Sequence, residues 1–115
     1  MSDRTLIVAR FDPADAPRIA EHFGESDRTY LPELLGVRRR MLFGYADLYF
    51  HYIEFDGDGR AAMERGGRDP EFVRLSRSLA PYVTPYAPEV WRRPADAVAT
   101  PFYSWRPGAA GEARP

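Results

Sequence analysis

From Gly36 to Glu54 the chain reads GVRRRMLFGYADLYFHYIE, and no other run constrains the fold as tightly. Two β-rich stretches flank Ala46-Asp47, a pair short enough to be a two-residue turn. With that turn, Tyr45 faces Leu48, Phe43 faces Phe50, Leu42 faces His51 and Arg40 faces Ile53. Side chains alternate across a strand. Arg40, Leu42, Gly44, Tyr49, His51, Ile53 and Phe55 therefore share one face. Val37, Arg39, Met41, Phe43, Tyr45, Leu48, Phe50 and Tyr52 share the other. Both faces are largely apolar, so both call for cover. An Arg and a His on a covered face put a polar spot inside an apolar cavity, the usual make-up of a small-molecule site.

The rest of the chain supplies the partners of this hairpin. Thr5–Phe11 is a β-rich opening strand. Asp12-Pro13 starts a helix over Ala14 to about Arg28, with Ile19, Ala20 and Phe23 at helical spacing. Tyr30–Gly36 contains Pro32 and ends in glycine, and reads as a loop. Asp56-Gly57-Asp58-Gly59 is a polar turn, followed by a short helix over Arg60–Arg65. Asp69-Pro70-Glu71 is an N-cap and first-turn signal for a helix to Leu79 that points Phe72, Leu75 and Leu79 inward. Five prolines between Pro81 and Pro101 predict a wandering surface segment. Thr100–Trp105 reads as a last strand. The order is β-α-β-β-α-β, an α+β, ferredoxin-like pattern in one domain over residues 1–106. Residues 107–115 lack apolar content and read as a disordered tail. A ferredoxin-like sheet carries helices on one face only. The second apolar face would then be a large exposed patch, which a face-to-face homodimer, a dimeric α+β barrel, would cover.

Composition removes several function classes. Net charge is −1, which argues against nucleic-acid binding. There is no cysteine, hence no disulfide, thiolate nucleophile or zinc–thiolate site. The two histidines, His22 and His51, are far apart in sequence, and a His-rich metal centre is not expected. No stretch reads as a signal peptide or a membrane span, so a cytoplasmic protein without a membrane partner is expected.

Several stretches together are similar to a known family. LIVARFDPADAP, LPELLGVRRRMLF, DLYFHYIE, PYVTPY and FYSW occur in the order found in the small aromatic polyketide cyclases of the tetracenomycin F2 cyclase type. The resemblance covers residues 4–105, and GVRRR-x-LF followed by DLY-x-H is its most specific part. It implies a dimeric ferredoxin-like barrel that closes or aromatises rings of a poly-β-ketone in antibiotic or pigment biosynthesis. It also implies no cofactor and a small-molecule polyketide substrate, while the two separated His and the lack of Cys lead us to expect no metal; the substrate arrives free or carrier-bound, with a polyketide synthase complex or its acyl carrier protein as a candidate partner. The family's polar positions fall on Arg40, His51 and Asp27. The histidine that precedes the aspartate in the family's pattern is Ser26 here, so a mechanism that needs an imidazole at that helix end cannot operate.

Ring closure of a polyketone is an intramolecular aldol reaction. The methylene between two carbonyls is already acidic, so a modest base suffices. His51 is the natural candidate, because an unperturbed imidazole titrates near 6.5. Arg40 stays charged and can hold an enolate oxygen. It lies diagonal to His51 on one face, within reach of one substrate. Asp27 either orients a base or neutralises Arg40. Leu42, Tyr49 and Ile53, on the same face, and Ser26 are candidate substrate contacts. Each residue also has a plainer reading. His51 can be a satisfied core histidine, and Arg40 a buried ion pair or a dimer contact. Asp27 can be a solvated helix-end residue, and Ser26 is structural rather than nucleophilic. Arg38 reads as solvated or salt-bridged, and His22 as exposed. Two other functions remain open on these residues. One is a cofactor-independent monooxygenase acting on a polycyclic phenol or anthrone. The other is a non-catalytic protein that steers a reactive polyketide.

Overall fold

The computed structural model describes residues 3–90 and 94–108. Four strands, β1 (Asp3–Phe11), β2 (Val37–Tyr45), β3 (Leu48–Phe55) and β4 (Val83–Thr84), form one sheet in the order β2-β3-β1-β4. All neighbours are antiparallel, as the ferredoxin-like pattern requires. The helices α1 (Ala16–Asp27), α2 (Leu31–Leu35), α3 (Gly59–Gly66) and α4 (Pro70–Leu79) complete the protomer.

The hairpin has the register read from its sequence: Arg40↔Ile53, Leu42↔His51, Phe43↔Phe50 and Tyr45↔Leu48. Ala46 takes a left-handed φ of 53° to make the turn, a conformation unfavourable for a residue with a Cβ. The end of β1 holds it in place. The Phe11 amide donates to the Asp47 carbonyl at 2.9 Å, and Arg10 donates to the Asp47 carboxylate at 2.7 Å.

Burial along β3 alternates without exception, with Tyr49, His51, Ile53 and Phe55 buried. These residues meet Ile19 and Phe23 of α1, Leu31 and Leu35 of α2, and Leu75 of α4 in one core. Burying a side chain such as Ile19 or Phe55 stabilises by about 1.5–3 kcal/mol, whereas a helix cap contributes about 1 kcal/mol. Packing therefore fixes where α1 lies, and the caps at Asp58 and Asp69 fix where α3 and α4 begin. The other sheet face leaves Leu6, Phe43 and Tyr45 exposed.

Four local expectations are corrected. Tyr30–Gly36 is not a loop: α2 forms there, with Pro32 inside its first turn and Gly36, at φ 71°, as its left-handed C-cap. A proline in a first turn begins a helix rather than breaking it. Val37 does not follow Met41 outward. A β-bulge between Val37 and Arg39 turns Val37 toward the core, and Arg38 pairs with Asp56 at 3.3 Å. Thr100–Trp105 is not a sheet strand. The free edge of β1 is taken by β4 and by a bridge from Ile7 to Val98, and Phe102, Tyr103 and Trp105 are exposed. His22 is half-buried beside Tyr82, with ring centroids 5.9 Å apart. The expected tail falls, from residue 109 onward, outside the described residues.

Candidate active site

Three elements bring Arg40, His51 and Asp27 together. Arg40 comes from β2, His51 from β3 two register pairs along and so on the same face, and Asp27 from the last turn of α1. The Arg40 guanidinium meets Asp27 through two parallel bonds, Nε to Oδ2 at 3.1 Å and Nη2 to Oδ1 at 2.8 Å. Its Nη1 lies 2.8 Å from His51 Nε2. The carboxylate at a helix C-terminus is unfavourable by itself, and the guanidinium opposite offsets this. Phe23 serves as a platform, with the Arg40 charge 5.0 Å above its ring and the His51 ring edge-on at 4.9 Å.

The protonation state of His51 follows from these contacts. A guanidinium can only donate, so His51 Nε2 is the acceptor and the ring proton sits on Nδ1. Burial, and then the Arg40 charge, push the imidazole from its ordinary 6.5 down to about 3. In the resting protein His51 is therefore neutral, and its one free lone pair is engaged by Arg40. Arg40 has five N–H donors. Three are used, and two make no hydrogen bond to any described residue. Its side chain is 13% exposed, so those donors face a medium where charge stabilisation is strong.

Next to this cluster, toward the hairpin turn, lies a cavity of about 470 Å³ between α1 and the sheet. Its walls include Phe11, Ile19, Ala20, Leu42, Gly44 and Tyr49. The polar cluster adjoins it: Leu42 of its wall pairs with His51, and the ring of Tyr49, also in the wall, is 6.4 Å from that of His51. Among the described residues there is no group of three or more His, Cys, Asp or Glu able to hold a metal ion, and no helix long and apolar enough to cross a membrane.

The model of the family described as polyketide synthesis cyclase matches residues 3–106. The chain belongs to that family. Tetracenomycin F2 cyclase from Streptomyces glaucescens is 44% identical to this cyclase over 105 residues, which is 91% of this chain and 95% of the relative. Its solved structure, described as a type-II polyketide cyclase, superposes with a TM-score of 0.83 at 43% identity, covering 90% of this chain and 97% of that one. CurG, a polyketide synthase protein from Streptomyces cyaneus, is 43% identical over 87% of this chain and 94% of its own length. An uncharacterised Streptomyces coelicolor protein is 49% identical over 93% and 97%. The chain is an aromatic polyketide cyclase with the ferredoxin-like fold.

Within this cyclase the site residues read from sequence separate into three groups. Arg40, His51 and Asp27 are in mutual contact. Leu42 and Tyr49 line the cavity. Ile53 is a core residue paired with Arg40, and Ser26 is buried toward α4 near Glu71, its hydroxyl without a hydrogen-bond partner among the described residues. Sequence reading did not single out Phe23 as the platform for both Arg40 and His51, nor Phe11 and Ile19 as cavity walls. The signal was present in the helical spacing of Ile19 and Phe23 and in the alternation of Thr5, Ile7, Ala9 and Phe11.

Proposed function

We propose that this cyclase closes a ring of a poly-β-ketone by cofactor-free intramolecular aldol addition and loss of water, with Arg40, His51 and Asp27 as its catalytic groups. The observation that carries the reading is the guanidinium of Arg40. It is held in place by Asp27, its side chain is largely excluded from water, two of its donors make no hydrogen bond to a described residue, and an apolar cavity adjoins its cluster. Such a group stabilises an enolate oxygen as its charge develops. A substrate carbonyl oxygen that takes Nη1 away from His51 frees Nε2 before any proton moves, and negative charge then develops on that oxygen as the methylene is deprotonated. That charge also offsets the positive charge that depresses the imidazole, so His51 becomes a better base as the anion forms. The methylene proton passes to Nε2, the enolate carbon bonds to a second carbonyl carbon, and the resulting alkoxide takes a proton. Loss of that oxygen as water, with one further proton from the ring, gives the aromatic product. The cavity holds the chain in one folded form near attack, which lowers the barrier by removing conformational freedom beforehand.

The outer sheet face is covered by a second copy. Exposed Leu6, Phe43 and Tyr45 support this, since an apolar patch of this kind marks an interface. Sedimentation at micromolar concentration should give a dimer, and a stable monomer would overturn this part. The substrate reaches the site either free or on the acyl carrier protein of a polyketide synthase.

Tetracenomycin F2, the compound in the relative's name, is the first trial substrate, followed by polyketones made in situ by a minimal synthase. The expected product has lost one water, with no oxygen consumed. Stoichiometric oxygen uptake would favour the monooxygenase reading. An unchanged product profile with and without protein would reject catalysis.

A further inference from the structure

The cavity wall contains a single polar side chain. Of the ten described residues that line it, eight have side chains of carbon alone, Gly44 has none, and the tenth is Tyr49. Tyr49 is 4% exposed, yet its hydroxyl makes no hydrogen bond to any described residue. A buried phenol without a partner is unusual. Tyr30 and Tyr52, whose hydroxyls are far less buried, donate to Asp69 and Glu54. The sealed polar atoms without a partner are His22 Nδ1 and Ser26 Oγ, and the Tyr49 oxygen is not one of them. It therefore keeps an opening, and the cavity is what it lines.

The ring is held rigidly. Phe11 packs edge-on against it at 5.9 Å. Phe11 can lie there because the residue opposite Tyr49 is Gly44, where a Cβ would fall 2.6 Å from the Phe11 ring. Burial raises the phenol above its ordinary range, so it remains a donor at any working pH. The remaining wall cannot distinguish a carbonyl carbon of a polyketone from a methylene, because both are merely apolar in contact with carbon. A fixed donor can, since a chain that slips by one carbon presents a CH₂ to it.

We propose that the Tyr49 hydroxyl anchors one carbonyl or phenolic oxygen of the bound polyketide, and by fixing its register in the cavity selects which carbonyl reaches Arg40. The inference rests on the cyclase reading and adds to it a specificity-determining residue. Tyr49 does not take part in the bond-making step, and Arg40 retains that role.

The test is Tyr49→Phe, which removes only the hydroxyl. A hydroxyl bound to protein would lower the melting temperature when deleted, whereas one facing the cavity should leave it unchanged or raise it. With tetracenomycin F2 as substrate, KM should rise about fivefold to tenfold, the worth of one hydrogen bond, with kcat for the correct product changing less. Misclosed products should take a larger share. A binding arm with 1,8-dihydroxyanthraquinone as an unreactive probe should show a similar weakening of Kd. Equal KM, equal product ratio and equal Kd in the two proteins overturn the anchor, as does a lowered melting temperature with unchanged product ratio. If wild type does not turn over tetracenomycin F2 or the in-situ polyketones, the cyclase reading falls separately. The anchor is then judged on the probe alone, and equal Kd or no binding to wild type overturns it.

Discussion

Acidification should destabilise this protein through His51 in a way that His51→Gln abolishes. The imidazole titrates near its ordinary 6.5 in the unfolded chain and at about 3 in the fold. The fold favours the neutral ring, so the contribution is complete above 6.5 and is lost as pH falls from there toward 3. Between pH 7 and pH 5 the unfolded ring takes up a proton almost completely, while the folded ring remains neutral. The loss is about 2 kcal/mol, and it stays near that value if the folded ring titrates a unit higher. Glutamine can accept from Arg40 without titrating, so the variant keeps the Nη1 contact and loses the pH term. Every other group in the chain is the same in the two proteins and cancels in the comparison. Urea unfolding at the two pH values is the assay. With a slope of about 1–3 kcal/mol per molar, wild type should lose roughly 1 M more of its midpoint than the variant on going to pH 5. A difference below about 0.5 kcal/mol would refute the picture of a dry, neutral His51 tied to Arg40.

Other variants probe the remaining parts of the site. Arg40→Ala should lower the cyclisation rate about a hundredfold or more, the usual effect of removing an oxyanion stabiliser at about 3 kcal/mol. Arg40→Lys should restore only part of the rate, because an ammonium cannot reproduce the fork to Asp27 while reaching His51; near-complete rescue in a rate assay would count against fork geometry. Ala46→Gly should raise stability by about 0.5–1 kcal/mol, since Ala46 holds φ 53°, and an unchanged melting temperature would mean that the turn is already relaxed. Ser26→His should lower stability by about 1–3 kcal/mol through overpacking at a site 1% exposed, without gain in rate; a faster enzyme would place that position in the site after all.

What the sequence made legible, and what it did not, follows from how local each determinant is. The hairpin register needs only a two-residue turn and period-two alternation, and both are written in residues 37–55. The contact of Arg40 with His51 follows from that register. The bulge at Arg38 is invisible, because one inserted residue changes no propensity and is decided by whether Val37 finds a core. The edge of β1 is a competition. Thr100–Trp105 has the stronger β composition, yet Val83–Thr84 and Val98 reach the edge, because the helix before them delivers the chain there. Pro32 was misread because the same residue stops a helix in its interior and starts one in its first turn. The direction of the Arg40–His51 bond was out of reach too. Residue types suggested a free base, and burial made it an engaged acceptor.

The presence of Ser26, where the family resemblance implies a histidine, gains a physical meaning from the same geometry. Ser26 and Asp27 are successive on a helix, about 100° apart around its axis, with Phe23 one turn before them. Asp27 turns toward β2 and meets Arg40, so Ser26 turns the other way, into the contact of α1 with α4. Only one of the two positions can face the guanidinium in this backbone. The anionic partner that fixes Arg40 is Asp27, and Ser26 is the position facing α4. A chemistry centred on Arg40, with His51 held in reserve by the same guanidinium, therefore loses little when position 26 carries no imidazole.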